Sequence, residues 1–466
     1  MGASSSKQGS SSSSSAVAGL TDQERSALVA LFETALGPVK NGLPSPPTDL
    51  AHLTAHKATV PTDALARSLP PQVPDRIKVT IAAFAAACSQ PASAHDSKTA
   101  SSAPPSTITL AGLADAACQL VFGSPAEKER FVRAYEAANA GAGFRELLTD
   151  VATAVAFSSA QPSAAYVPSE RFVEMLINQC YSVKPSYGDD DAVDSVRTCP
   201  DFAAFETSFA ENKKLQSLWK SHFQYALFAR PPSNPPPAFL GGSSTLLAVE
   251  DIYTLHASLP SEFQTERSWQ RLFTSDRDGG SWTVFADRIT DAGAVLFAFR
   301  DTQGHIFGAF AASELVSAPH FAGDSRDFIF SLRPRLAVYR ATGTNANYHY
   351  LSCGASTFTN GLGFGGQLDY FGLFLSASFD AGHSKAAPRS TTFGYPQLSA
   401  HEEFRLDFVE AWLVKAKEID DRLVDPKAAK RSVLDDDRTA MLEMGGRRLY
   451  SKEVPPDVEK ERQDAE

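Results

Sequence analysis

Hydrophobic residues recur with a helical period through the first half of the chain. Apolar side chains spaced three and four residues apart are typical of one face of an α-helix. The clearest predicted helix runs from Thr21 to Leu36, because Thr21 and Glu24 have capping-box spacing and Gly37 follows the last turn. The same period predicts helices around residues 77–88, 110–122, 131–138, 144–157, 172–181 and 202–228.

The pattern changes to β-strands after Trp269. Residues 294–299 and 305–310 are apolar runs separated by a turn, and both faces of this hairpin are apolar. Strands with two apolar faces are expected inside a two-sheet sandwich. Further strands are predicted at residues 327–332, 337–341, 348–352, 369–378 and 404–414, with Gly361, Gly363, Gly365 and Gly366 between strands, where close backbone approach or positive φ is needed.

These elements predict an α+β chain, and its 466 residues exceed the roughly 100 to 200 of one ordinary domain. A disordered amino terminus (1–20) precedes an all-α domain (21–229) with degenerate EF-hand-like helices. A proline-rich linker (230–243) leads to a β-sandwich domain with few helices (244–415). The helical or disordered tail (416–466) is expected either to dock on a partner or to be solvated.

Composition narrows the classes of partner. The formal net charge is −11 and no basic block occurs, so binding of nucleic acid is not expected. The five cysteines are widely spaced and include no CxxC pair, which predicts neither a disulfide framework nor a zinc site and favours a reducing compartment. No apolar run approaches the roughly 20 residues that span a bilayer, and the first residues lack a secretory signal, so we expect a cytosolic protein.

The residues Met1 to Ser6 match the N-myristoylation pattern, in which Gly2 carries the acyl group after removal of Met1. The alternative is a disordered serine-rich tail in which Gly2 occurs by chance. One myristoyl chain binds membranes only marginally, with an association constant on the order of 10⁴ M⁻¹. Lys7 is the only basic residue near Gly2, so we expect a membrane-resident protein partner to supply the remaining affinity.

Paired helices raise the question of calcium binding. An EF-hand loop needs acidic oxygens at alternating positions, a central glycine and a distal glutamate. The nearest approach is Asp189 to Asp191 with Asp194, and no glycine follows them. We interpret these residues as a solvated loop, and a calcium-sensing helical module stays open as an alternative.

Glu410 is the most informative carboxylate of the chain. Alternation along the last predicted strand places Glu410 on the same face as Phe408 and Trp412. A buried carboxylate needs a partner, and removing that partner costs about 3–5 kcal/mol, so we interpret Glu410 as structural. The alternative is a solvent-facing contact for a binding partner, which a bulge at Val409 would permit.

Catalytic interpretations depend on side chains of the β-rich half. An enzyme of unknown reaction is an alternative function, and it predicts a deep pocket lined by some of His349, His383, His401 and Glu402. The histidine spacing matches no metal-ligand motif, and Ser399 with Glu402 has the spacing of a local cap. Cys353 is interpreted as a buried structural cysteine. The sequence therefore predicts no catalytic residue, no metal site and no cofactor.

Motifs of the second half resemble the TLDc domain family, in the family's order between residues 244 and 415. The matching segments are His305–Phe310, Tyr339 with Thr342-Gly343 and Asn345, Asn360–Gly366, Tyr370–Phe374, Gly382–Ser384, Thr391–Phe393, Leu398–Ser399 and Val409–Trp412. Within the family, the likeness is greatest to the mTOR-associated lysosomal type, which also carries a myristoylation motif and EF-hand-like helical sequence.

The resemblance implies a non-enzymatic protein at the cytoplasmic face of the lysosomal or vacuolar membrane. The implied partners are V-ATPase subunits and mTOR-pathway proteins, and the implied role includes oxidative-stress resistance. Candidate partner-binding or structural residues of the family motif are Gly343, Asn345, Gly363, Gly365, Gly366, Gly372, Glu410 and Trp412.

Overall fold

The computed structural model describes residues 20–37, 58–90, 106–139, 142–157, 166–180, 209–210, 212–231, 235–367, 370–386 and 389–417. The predicted acylation site Gly2, the acidic run at residues 189–194 and the tail beyond Lys417 lie outside these residues. The described residues up to Ala416 belong to one compact unit.

Helices form most of the described residues of the first half, and two of these helices begin with a full capping box. Thr21 and Glu24 cap the first, and Ser124 and Glu127 cap the fifth. The helices are α1 (Asp22–Leu36), α2 (Thr62–Ser68), α3 (Asp75–Cys88), α4 (Leu110–Val121), α5 (Pro125–Ala138), α6 (Phe144–Ala152), α7 (Ala154–Phe157), α8 (Glu170–Cys180) and α9 (Lys213–Phe228). None of these described helices has the length and apolar run required to cross a bilayer.

Short elements of the first half are absent from the sequence prediction. Helix α2 is one, and so are the strands β1 (Thr59–Pro61) and β2 (Thr107–Thr109), which pair antiparallel. Elements this short contain too few residues for a hydrophobic period to be recognised. The first turns of α5 are also unpredicted, because the residues after Ser124 are polar and carry no apolar period.

A large antiparallel sheet forms the second half, which confirms the α+β class. Its strands are β3 (Ala238–Leu240), β4 (Ser268–Thr274), β5 (Gly293–Asp301), β6 (Ile306–Ala311), β7 (Phe328–Arg333), β8 (Ala337–Arg340), β9 (His349–Ser352), β10 (Gly361–Gln367), β11 (Tyr370–Ser376), β12 (Ala381–Ser384) and β13 (Glu403–Ala416). The order is β8-β7-β6-β5-β13-β12-β11-β10-β9, with β4 also beside β13 and β3 parallel to β4. The accompanying helices are α10 (Val249–His256), α11 (Ser275–Asp278) and α12 (Trp282–Ile289).

Strand β13 joins two halves of the sheet, because its first residues pair with β12 and the remainder with β5. We call β3 to β8 the first sheet half and β9 to β12 the second sheet half. Phe297 on β5 and Phe364 on β10 lie 5.9 Å apart between ring centroids, within one buried core. The sheet therefore folds over itself, and its two inner faces share a core as in a β-sandwich.

The hairpin β5–β6 is apolar on both faces, but only one face lies inside the sandwich. Phe297 and Phe307 face the core between the sheet halves. Leu296 and Phe310 belong to a second core that continues into the helices of the first half, and Phe263 contacts Phe310 at 5.4 Å between ring centroids. The expectation that both faces lie inside the sandwich is wrong, because helices and the segment after α10 cover the outer face.

The glycine-rich segment is itself a strand. Residues 361–367 form β10 between β9 and β11, so the prediction that these glycines lie between strands is wrong. Glycine has a low strand propensity and no side chain, so this segment lacks the alternation from which strands are predicted. Strands β3, β4 and β12 are also unpredicted, and β3 falls within the segment predicted as a linker.

A buried ion network connects the helices to the sheet. Arg171, at the start of α8, donates to Asp251 Oδ1 at 2.5 Å and to Glu250 Oε1 at 2.9 Å, both on α10. It also donates to the Leu332 carbonyl of β7 at 3.0 Å, and the Ser169 N–H donates to Glu250 Oε2 at 3.1 Å. Both carboxylates are buried, so this network fixes the orientation of α8 on the first sheet half.

Candidate functional site

Glu410 lies in the middle of β13 and is buried. Its Oε1 accepts hydrogen bonds from the Thr245 N–H at 2.6 Å and the Leu246 N–H at 3.3 Å. Its Oε2 accepts from the Ser244 hydroxyl at 2.5 Å and from the Trp412 indole N–H at 3.0 Å. These four donors replace the water that the carboxylate loses on burial.

Glu410 and Trp412 hold the chain before α10 against the sheet. Trp412 packs on Phe239 of β3 with ring centroids 4.2 Å apart. The pairing of β13 with β4 shifts register between Ala411 and Trp412, whereas Val409 pairs regularly with Phe299 of β5. Only 1% of Glu410 is exposed, so its carboxylate contacts the protein's own backbone and offers no surface to a partner.

Three glycines of β10 are required for two different reasons. Gly365 and Gly366 have φ angles of +72° and +106°, which side-chain-bearing residues rarely adopt. A Cβ at Gly363 would lie 2.7 Å from the ring of Phe371, so this position needs glycine to admit the aromatic ring. The motif at β10 therefore has a local structural explanation.

Gly372 on β11 leaves space for the hydroxyl of Tyr395. A Cβ at Gly372 would lie 2.4 Å from Tyr395 Oη and 3.4 Å from Ser390 Oγ. Tyr395 is fully buried, and that burial raises its pKa above the ordinary range for tyrosine. Gly372 thus positions the loop that contains Ser390 and Tyr395 against β11.

Two loops and strand β10 meet in a hydrogen-bonded network around Asn345, which we call the Asn345 network. The Thr392 hydroxyl donates to Asn345 Oδ1 at 3.0 Å, and the Asn347 N–H donates to the same atom at 3.1 Å. The Thr392 hydroxyl also accepts from the Gly366 N–H at 3.1 Å. Gly343, with a φ of +80°, forms the turn before Asn345.

The structure separates the predicted motif residues into three groups. Gly343, Asn345, Gly365 and Gly366 lie in or beside the Asn345 network. Gly363 and Gly372 leave space for the side chains of Phe371 and Tyr395. Glu410 and Trp412 contact residues 239–246 and are buried. The hydroxyl-bearing residues Thr342, Thr344 and Thr391 are exposed, so only the Asn345 network reaches solvent among these groups.

His349 forms a buried pair with Asp327 between the two sheet halves. Its Nδ1 lies 2.7 Å from Asp327 Oδ2, and Asp327 Oδ1 accepts from the Ala312 N–H at 2.8 Å. Burial raises the pKa of Asp327, and the adjacent His349 opposes that rise. Gly323 is required beside the pair, because its φ is +87° and a Cβ would lie 2.5 Å from both side chains. The pair connects β7 to β9.

The other candidate catalytic side chains make separate local contacts. His383 Nε2 lies 3.1 Å from the carbonyl oxygen of Phe371. His401 is exposed, and Glu402 pairs with Lys385 at 3.2 Å on the surface. Within the described residues, no three histidine, cysteine, aspartate or glutamate side chains are grouped to hold a metal ion.

Cys353 is half-buried, so the expectation of a buried cysteine is wrong in degree. Its N–H donates to the Ser317 hydroxyl at 3.0 Å at the end of β9. Burial raises the pKa of the Cys353 thiol, which keeps the reactive thiolate scarce near neutral pH. This environment does not activate the thiol.

Two charged groups that organise the fold, Asp327 and Arg171, were not predicted from the sequence. Both precede or begin an apolar run, where a charged residue is ordinarily solvated at the end of an element. Their partners lie 22 residues away for Asp327 and about 80 for Arg171, so no local spacing reveals them.

Comparisons with known proteins identify a domain family in the second half of the chain. A model of the TLDc domain matches residues 240–415. MTOR-associated protein MEAK7 of Gallus gallus is 41% identical over 226 residues, which are 47% of this chain and 46% of that protein. Its Homo sapiens counterpart is 40% identical over 221 residues, 46% of this chain and 47% of that protein.

More distant similarity extends to another named protein. Oxidation resistance protein 1 of Homo sapiens is 28% identical over 174 residues, 37% of this chain and 19% of that protein. The chain spans about half the length of the MEAK7 proteins it matches, at 46% and 47%. The resemblance drawn from the motifs is confirmed: the chain carries a TLDc domain at residues 240–415 and is similar to the MEAK7 proteins.

Proposed function

We propose that this protein is a non-enzymatic adaptor that binds the cytosolic part of the V-ATPase at the lysosomal or vacuolar membrane. Its role is linked to mTOR signalling and to oxidative-stress resistance. The similarity to proteins named for mTOR association and for oxidation resistance supports both links. Neither name designates a reaction.

The main support for the proposal is that the buried polar groups form hydrogen bonds within the protein itself. The buried carboxylates Glu410, Asp327, Glu250 and Asp251 each accept hydrogen bonds from the protein itself. Of the candidate catalytic histidines, His349 and His383 make separate local contacts, and His401 is exposed. An arrangement of this kind builds a rigid body with a recognition surface, which favours binding over catalysis.

The proposed membrane attachment has two parts. An acyl group on Gly2 supplies weak affinity for the bilayer, and the pump supplies the rest. Because one acyl chain binds marginally, the protein should bind organelle membranes much more tightly than protein-free vesicles.

Membrane fractions test this division directly. The full chain, with and without Gly2→Ala, is incubated with isolated lysosomal or vacuolar membranes, with the same membranes after protease treatment, and with liposomes of matched lipids. We expect retention on intact membranes, partial loss with Gly2→Ala and strong loss after protease treatment. Equal retention on protein-free liposomes would exclude a protein partner.

A calcium-responsive helical module is a second proposal, which one observation favours. Strands β1 and β2 pair through Val60 and Ile108, and each precedes a helix, as paired loops do in EF-hand domains. The segments 38–57 and 91–105, which lead into these strands, are outside the described residues. Calorimetric titration of the full chain with Ca²⁺ tests the proposal, and heat indistinguishable from buffer would contradict it.

A further inference from the structure

Strand β8 is an edge of the sheet that the described residues leave open. The opposite edge, β9, is covered, because Ala322 and His349 exchange two backbone hydrogen bonds of 2.8 and 3.1 Å. For Ala337–Arg340 of β8, the described residues provide backbone pairing with β7 only. An edge strand presents alternate N–H and C=O groups to any segment that lies beside it.

Three arginines lie close to this open edge. Arg335 precedes β8, Arg340 ends it, and Arg389 lies in the loop that contains Tyr395; all three arginines are exposed. Tyr339 on β8 lies 6.2 Å from Tyr395 between ring centroids, and Arg389 donates to the carbonyl of Gly394, the residue before Tyr395.

The charges of these arginines lack carboxylate partners among the described residues. Arg340 donates to the Ser258 carbonyl at 2.6 Å, and Arg389 donates to the Gly394 carbonyl at 3.3 Å. Both acceptors are neutral. The chain carries a net charge of −11, so an uncompensated positive edge is unusual for this surface.

We propose that the outer edge of β8 binds an extended acidic segment of a partner protein by β-strand addition. The segment pairs its backbone with Ala337–Arg340 and places carboxylates against Arg335 and Arg389. The backbone pairing supplies affinity, and the arginines select acidic side chains. The inference deepens the proposed adaptor function by stating the chemistry of the partner at this edge.

A protein segment fits this edge better than an anionic membrane. Attraction to anionic lipid is about 1 kcal/mol per basic residue, so three arginines alone bind a membrane weakly. Arginine also pairs with carboxylates in a planar, two-pronged geometry, and a peptide backbone can use the unpaired groups of β8. The adjoining Thr342 and Thr391 add exposed hydroxyl groups for a polar peptide.

Synthetic peptides test the inference without any pump or membrane. The full chain is titrated with fluorescent peptides in which valine alternates with glutamate or, as the control, with lysine. We expect the glutamate peptide to bind with a strong dependence on ionic strength and to slow hydrogen exchange in residues 337–340. Arg335→Glu and Arg389→Glu should each weaken binding about tenfold, whereas Arg405→Glu, an exposed arginine on β13, should not.

Any of the following outcomes would overturn the proposed strand addition at β8. Binding that Arg405→Glu weakens as much as Arg335→Glu shows nonspecific charge attraction. Binding without slower exchange in residues 337–340 shows that no strand is added. Absence of binding at millimolar peptide, or arginine-dependent binding to phosphatidylserine vesicles instead, rejects the acidic segment. None of these outcomes bears on pump binding, so the adaptor function is tested separately.

Discussion

The indole N–H of Trp412 donates to the carboxylate of Glu410, two residues before it on β13, at 3.0 Å. Both side chains lie on the same side of the strand, so one face of a central strand carries a buried acid and its donor. The same carboxylate accepts the backbone N–H groups of Thr245 and Leu246. The entry of the chain into the TLDc domain is therefore fixed from the centre of the sheet.

Replacing Glu410 with alanine should lower the free energy of unfolding by about 3 kcal/mol, because buried donors lose their acceptor. Chemical denaturation followed by tryptophan fluorescence measures the change. Glu403→Ala, an exposed glutamate on the same strand, is the matched control and should change stability little. A small effect of Glu410→Ala would show that the four hydrogen bonds do not stabilise the fold.

Arg171→Met should destabilise the contact between the helices and the TLDc domain by about 3–5 kcal/mol, because Glu250 and Asp251 stay buried without their cation. Hydrogen exchange should become faster first in α8 and α10. Arg145→Met is the control, since its carboxylate contacts of 3.7 Å to Glu170 and Glu174 lie on the surface. Unchanged exchange in α8 would contradict the role assigned to Arg171.

His222 of α9 should make the helical half sensitive to acid. It is fully buried, and that burial lowers its pKa to about 4 from an ordinary value of 6.5, although nearby Asp150 opposes the shift. The folded state therefore favours neutral His222, so its stabilising contribution is complete above pH 6.5 and is lost as pH falls toward 4.

Urea denaturation between pH 7 and 4 measures this effect, which amounts to about 3 kcal/mol when complete. His222→Gln should reduce the slope of stability against pH in that interval. His401→Gln, at an exposed position, should leave the slope unchanged. Identical slopes for both variants would assign the acid sensitivity to other groups.

Gly372→Ala should destabilise the TLDc domain by about 1–3 kcal/mol, because its Cβ overlaps the hydroxyl of Tyr395. Adding Tyr395→Phe removes that hydroxyl and should restore part of the loss. Gly280→Ala is the control, since a Cβ there meets no atom within 4 Å. If Tyr395→Phe does not rescue Gly372→Ala in thermal unfolding, the close approach is not the cause.

The sequence predicts the elements whose pattern is local. Thr21 and Glu24 identify the start of α1, and alternation along β13 places Glu410 beside Trp412. Strand β10 was not predicted, because its glycines have no side chains that could alternate between the two faces of a sheet. The contacts of Arg171 and Asp327 were hidden for a different reason, since their partners come from distant segments of the chain.

The second apolar face of the β5–β6 hairpin makes deletion of the TLDc domain a poor test of partner binding. Leu296 and Phe310 share a core with the helical half, so removal of residues 244–415 would expose that core as well as remove the TLDc domain. Surface substitutions therefore test partner binding more cleanly than domain deletion.

Direct binding to the purified V-ATPase is the decisive test of the adaptor function. The acylated full chain and its non-acylated Gly2→Ala variant are each mixed with detergent-purified pump, and the complexes are separated by size-exclusion chromatography and quantified by mass spectrometry. We expect both forms to co-elute with the pump to the same extent in detergent, because the acyl group contributes only to bilayer binding. Elution of both forms apart from the pump, at concentrations where membranes retain the acylated chain, would contradict the proposed function.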